Sequence, residues 1–296
     1  MVELCTEAFG DPADPPILLI MGMGGSMLWW EEGFCRMLAD GRRFVIRYDH
    51  RDTGRSITYE PGRPGYTGRD LVADAAGVLD AYGLPAAHVV GVSMGGALAQ
   101  LLALDFADRV FSLVLISTSR AVPGERELPP PTEDFVRFAA TAAVDWSEPE
   151  SVIEYVVDYS RVLAGERPFD ESAVRELSRR DVERARNFSA AQNHDLLADD
   201  EPTRAPLTSI AAPTLVIHGT ADPMSRLATE RRWPRRSRMR GCSPSTEPVM
   251  DSSAPTGRSS RKRSSSTPAP ARSANGGRRT LSGRGRQFGR GRRSPG

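Results

Sequence analysis

Along residues 1–224 the apolar positions follow two rhythms. Short continuous apolar runs bounded by glycine or polar turns predict buried strands: PILLIMG (16–22), FVIRYDH (44–50), AHVVGV (87–92), VFSLVLIST (110–118) and APTLVIHG (212–219). Between them, RDLVADAAGVLDAYG (69–83) and GGALAQLLALDFADR (95–109) carry apolar residues at helical spacing, the first stopping at Gly83. Strands that alternate with helices predict an α/β fold: a mostly parallel central sheet with helices on both faces.

From about 121 to 205 the strand signal vanishes. SEPESVIEYVVDYSRVLAG (147–165) opens with Ser147 and Glu150 at capping-box spacing and closes at Gly165. DESAVRELSRRDVERARNF (170–188) is a charged amphipathic helix. A helical insertion between sheet strands is expected to sit over the carboxyl edge of the sheet as a lid. The chain has no internal repeat.

Composition divides the chain again. The 296 residues carry a net charge of +1, but residues 225–296 hold 18 Arg and one Lys against Glu230, Glu247 and Asp251. That tail is +16 and the remainder is −15. Two thirds of the tail is Arg, Ser, Pro or Gly, and its aliphatic residues are Leu227, Val249 and Leu281. So little apolar surface cannot offset the entropy of ordering, and disorder is expected.

Cys5, Cys35 and Cys242 are an odd set without metal-ligand spacing, which fits a reducing compartment. The start, MVELCTEAFGDPADPP, has neither a basic nor an apolar signal region, and no run reaches membrane-spanning length. The expectation is a cytoplasmic protein without a membrane partner.

The chemistry concentrates at HVVGVSMGGALAQ, where Gly91-Val92-Ser93-Met94-Gly95 forms a G-x-S-x-G pattern between a strand and a small-residue helix. A serine in so sharp a turn stands clear of the sheet, and strand and helix backbones then approach too closely for side chains two residues away. The helix N-terminus behind it favours negative charge beside the serine. An oxyanion needs a second donor, and Met21-Gly22-Met23-Gly24-Gly25 follows an earlier strand. The backbone amides of Met23 and Met94 are the expected oxyanion hole. Trp29 and Trp30 line a pocket mouth or pack against the lid or the core.

Four stretches together, FGDPADPPILLIMGMGG, VIRYDHRDTGRS, AHVVGVSMGGALAQLLALDFADRV and PTLVIHGTADP, resemble the α/β-hydrolase superfamily. Within it the likeness is to aclacinomycin methylesterases, which act on a methyl ester of anthracycline antibiotics. The resemblance covers most of 1–118 and 206–224 and does not extend to the lid. It implies a core of 1–120 and 206–224, which leaves the helical stretch 121–205 as a cap and the compositionally distinct 225–296 as a separate tail. It also implies that Ser93 is the nucleophile and that Asp222, in HGTADP, orients a histidine lying downstream in the order Ser, Asp, His. No metal or cofactor is implied, and the partner is a small-molecule ester.

That histidine is absent. The chain has His50, His88, His194 and His218, and none follows Asp222. His50 reads as a brace, His88 and His218 as structural, and His194 as a lid residue to which the family pattern gives no role at the serine. Restoring one base after the Met224 codon lets GC-rich codons be re-read as an apolar helix, a strand and a glycine-flanked histidine spanning Val249 and Met250. The tail is therefore expected to be an out-of-frame translation. The expected activity is serine hydrolysis of a carboxylic ester, impaired in this chain for want of the base. Two alternatives stay open. One is another reaction on the same fold, by a lactonase, a carbon–carbon bond hydrolase or a perhydrolase-type haloperoxidase. The other is a non-catalytic protein whose basic tail binds nucleic acid; Trp233 and Phe288 are too few aromatics for a stacking platform, so no specific nucleic acid is expected.

Overall fold

The computed structural model of the protein describes residues 2–121, 130–197 and 205–224, with the backbone of 279–280. Each predicted apolar run forms a strand: β2 (Pro16–Ile20), β3 (Phe44–Tyr48), β4 (Ala87–Val92), β5 (Val110–Ile116) and β6 (Thr214–Ile217). The pattern of residues 1–15 did not reveal β1 (Cys5–Phe9), whose half-polar sequence CTEAF lies near the sheet edge. The sheet also includes β7 (Arg279–Thr280), and the order is β6-β5-β4-β2-β3-β1-β7. Strands β2 to β6 pair in parallel, whereas β1 pairs antiparallel with both β3 and β7. Cys5 pairs with Thr280 and Thr6 with Arg279. The outer side of β1 offers unpaired ladder groups to which an extended backbone binds whatever its side chains. The other residues of 225–296, with their predicted disorder and lost register, lie outside the described residues.

Side chains alternate across the sheet, and both faces are covered. Leu18, Ile20, Ile46 and Tyr48 point into a core shared with α2 (Gly68–Ala81) and α3 (Met94–Asp105). Ile17, Leu19 and Val45 point to the other face, against Phe34, Cys35 and Leu38 of α1 (Glu32–Asp40), an element the sequence reading left out. Helix α2 starts with a capping box between Thr67 and Asp70. Beyond its end Gly83 takes φ +69°, where glycine is favoured.

The helical segment contains α4 (Glu133–Thr141), α5 (Pro149–Ala164), α6 (Glu171–Arg184) and a 3-10 stretch, Phe188–Leu196. The capping box expected from Ser147 and Glu150 does not form. Pro149 occupies the first turn, Glu148 is the cap residue, and the Ser147 hydroxyl and amide donate to Asp145 instead. Proline has no amide to be capped and a φ already set for the helix, so it fixes the start. The C-terminal part of the segment is tied to the loop after β3. Arg184 pairs with Asp49 at 2.7 Å, the Arg186 amide donates to the Gly54 carbonyl, and Asn193 Nδ2 donates to Asp52 Oδ2 at 2.8 Å.

Candidate active site

Three of the sequence-predicted groups end parallel strands at the same edge of the sheet. Ser93 follows β4, the Met21–Gly25 loop follows β2, and Asp222 lies beyond β6. Strand β4 lies between β2 and β5, so the serine sits near the middle of that edge.

Ser93 has φ +52° and ψ −123°, a backbone conformation that costs a residue with a side chain about 1–3 kcal/mol. The surroundings hold it there. Its amide donates to the Ile116 carbonyl at 3.0 Å, and its carbonyl accepts from Gly96 N and from Thr118 Oγ1. A Cβ on Gly91 would collide with the Gly95 carbonyl, and one on Gly95 with the carbonyls of Ile20 and Met21. Met94 is the first residue of α3, so its amide has no partner within the helix.

The glycine loop passes directly beside this turn. A Cβ on Gly22 would lie 3.4 Å from Ser93 Cβ and 4.0 Å from Ser93 Oγ. Gly24 takes φ +69°, and the Gly25 amide closes a turn on the Gly22 carbonyl. The Met23 side chain is half exposed.

Two buried histidines brace the loop. His50 Nε2 donates to the Met21 carbonyl at 3.0 Å. His194 Nδ1 accepts from the Gly24 amide at 3.0 Å, while its Nε2 donates to the Arg51 carbonyl at 2.9 Å. Burial pushes both imidazoles down to about 4, so both are neutral at pH 7. The reading of His50 as a brace matches this geometry. The position of His194 under the glycine loop had no sequence signal, because 170 residues separate it from Gly24. His88, at the start of β4, bonds Ser112 Oγ and lies at the opposite end of the strand from Ser93.

Asp222 is held by its own turn. Its amide donates to the Gly219 carbonyl, and Oδ1 accepts from the Met224 amide at 2.9 Å. Oδ2 lies 3.4 Å from Nε2 of His218, whose side chain is buried. His218 is thus a partner of the predicted acid, a role missed by assigning it to the strand end alone; the four-residue spacing was the available signal. Strand β5 separates β4 from β6, so the two turns stand about two strand spacings apart, roughly 10 Å.

The tryptophans divide between the expected roles. Trp29 Nε1 donates to Asp181 of α6 at 2.8 Å, and Trp30 is buried against Phe34. In the helical segment a ladder of half-buried rings runs through Phe138, Tyr155, Tyr159, Trp146 and Phe188, with centroid separations of 5.6–6.4 Å. Its Tyr159 hydroxyl reaches Met224 Sδ at 3.6 Å, and the Thr132 amide before α4 donates to the Pro223 carbonyl. The ladder therefore stands beside the Asp222 turn. Among the described residues no cluster of three His, Cys, Asp or Glu has metal-site geometry.

The sequence matches the alpha/beta hydrolase fold family over residues 15–241, past Met224. The chain belongs to this family. It is 35% identical to rhodomycin D methylesterase of Streptomyces sp. (strain C5) over 238 residues, covering 75% of this chain and 80% of the relative. Among solved structures, a hydrolase from Pseudomonas aeruginosa PA01 superposes with a TM-score of 0.55 at 28% identity, covering 77% of this chain and 80% of that one. The enol-lactonase from Burkholderia xenovorans LB400 gives 0.54 at 26% identity, covering 78% and 83%. By lineage this α/β-hydrolase chain is a hydrolase. No helix among its described residues is long and apolar enough to cross a membrane.

Proposed function

We propose that the chain derives from a serine hydrolase of carboxylic esters, and that it carries the nucleophile, acid and oxyanion donors without the base. The observation that carries this reading is the Ser93 turn, strained at φ +52° and faced by Gly22. In the complete reaction Ser93 Oγ adds to the ester carbonyl, and a base takes the hydroxyl proton. The amides of Met23 and Met94 receive the oxyanion, and the alcohol leaves with that proton. Water then attacks the acyl-enzyme to release the acid and free Ser93. Asp222 is the group that would orient the base. In this chain its carboxylate faces His218 instead.

The substrate proposed is a small ester bearing a ring system. The similarity to a rhodomycin D methylesterase supports it, as does the aromatic ladder beside Asp222. The proposed compartment is the cytoplasm, consistent with free thiols at Cys5 and Cys35. The competing lactonase and carbon–carbon hydrolase reactions would use the same serine and differ in what the helical segment admits.

The test is hydrolysis of p-nitrophenyl esters by this chain, by its Ser93→Ala variant and by a protein with the frame restored after codon 224. Losing a triad histidine costs on the order of 10⁶-fold in turnover. Activity is expected only in the restored protein, and only with Ser93 present. Equal, Ser93-dependent activity in both proteins would overturn the account of the missing base.

A further inference from the structure

The five residues that carry the proposed oxyanion amide, Met21-Gly22-Met23-Gly24-Gly25, include three glycines. Such a segment has little conformational preference of its own, and Gly24 at φ +69° sits where glycine moves at small cost. An oxyanion donor works only when it is fixed before the charge appears. Something outside the loop must therefore hold it.

We propose that His194, in the helical segment, is the positioning residue that locks the oxyanion loop, acting as a neutral Nε2–H imidazole wedged between the Gly24 amide and the Arg51 carbonyl. This proposal rests on the reading of Ser93 and Met23 above. The geometry leaves no choice of tautomer. A backbone amide can only donate, so Nδ1 must be bare; a carbonyl can only accept, so Nε2 must carry the proton. His194 is 3% exposed and His50 1% exposed, and their rings meet edge to face at 5.8 Å.

The contacts close a ring. His50 holds the Met21 carbonyl, and Arg51, the next residue, holds His194, which holds Gly24. Gly22 and Met23 are the two residues between the held ends, with Gly22 against Ser93. The bond to His194 fixes the peptide joining Met23 to Gly24, and the Gly25 amide closing on the Gly22 carbonyl fixes the peptide that carries the Met23 amide. With both peptides held, the Met23 amide between them has a fixed direction before charge develops. Burial lowers the His194 pKa, so the acceptor is retained at neutral pH. The helical segment thus contributes to the chemistry as well as to the pocket wall. Asn193, its neighbour, anchors the same stretch by accepting from the Gly62 amide at 2.7 Å.

The test uses the full chain and, beside it, the frame-restored protein that supplies the base, each with an alkyl boronic acid, which adds to the serine hydroxyl and places a negatively charged oxygen in the hole. His194→Phe removes the acceptor, whereas His194→Asn presents Oδ1 close to the position of Nδ1. Binding is expected to weaken at least about tenfold in H194F and to stay within about threefold in H194N. In parallel, ring-nitrogen NMR of the unsubstituted chain is expected to show His194 as the neutral Nε2–H tautomer between pH 6 and 8, hydrogen-bonded to the Gly24 amide. A protonated Nδ1, or H194F with undiminished boronate affinity, would overturn the lock. The NMR measurement decides the question even when H194F does not fold. No boronate taken by either this chain or the frame-restored protein, while His194 shows the expected tautomer, would overturn the oxyanion reading itself, and with it this role for the histidine.

Discussion

Gly95 Cα packs so closely on Ile20 that a Cβ at position 95 would approach the Ile20 carbonyl oxygen to well under 3.0 Å. This contact presses the first turn of α3 against the end of β2. It joins the serine turn to the loop that supplies the other proposed oxyanion donor.

Gly95→Ala should therefore damage fold and site together. Overpacking against backbone costs about 1–3 kcal/mol, because neither carbonyl can swing aside as a side chain would. A lower urea midpoint with an unchanged denaturant slope is expected. An unshifted midpoint would mean that the strand–helix contact relaxes freely.

The pair formed by Arg51 and Asp74 lies behind the loop that carries His50. Two hydrogen bonds of 2.7 and 2.8 Å join them, and both side chains are at most 9% exposed. Asp74→Ala leaves a buried guanidinium short of its partner, an expected loss of about 3–5 kcal/mol in chemical unfolding. Changing both residues to apolar ones should recover much of that loss, since the stranded charge is the main penalty.

Acid stability should turn on three buried groups with opposing effects. His50 and His194 are held near 4, below the ordinary histidine value of 6.5, so only the unfolded chain takes up their protons between those limits. Each removes stability as pH falls from about 6.5 to 4, at about 1.4 kcal/mol per pH unit. Burial lifts Asp181, the acceptor for Trp29, to about 6. The folded chain therefore binds that proton first, and stability rises as pH falls from about 6 to 4. Two groups against one leave a net loss with a slope of about one proton. Asp181→Asn removes the opposing group and should steepen that slope to about two, measured by urea unfolding at stepped pH. An unchanged slope would show that Asp181 is charged throughout this range.

The aromatic ladder gives a substrate prediction. In the frame-restored protein, Tyr155→Ala should raise KM for a polycyclic aromatic methyl ester about tenfold, by removing one ring from the stack. Hydrolysis of p-nitrophenyl acetate, too small to span the ladder, should stay within about twofold. Equal losses on both esters would assign the rings to packing of the helical segment.

The sequence alone determined the parallel strands, the helices α2 and α3, and the serine turn. Each depends on local rules: a buried strand needs a continuous apolar run, and a sharp strand-to-helix turn needs small residues two positions either side of Ser93. That no histidine follows Asp222 was legible as well, and the proposal of a missing base rests on it. The tertiary structure decided the partnerships. Strand β1 emerged because the edge of β3 accepts a half-polar segment through its backbone, a contact that leaves no hydrophobic period. Proline at position 149, with no amide to cap, displaced the capping box read from Ser147. His194 reached Gly24 only because the helical segment folds back over the sheet edge. Local pattern records what one segment buries; it does not record which distant backbone group a buried imidazole will meet.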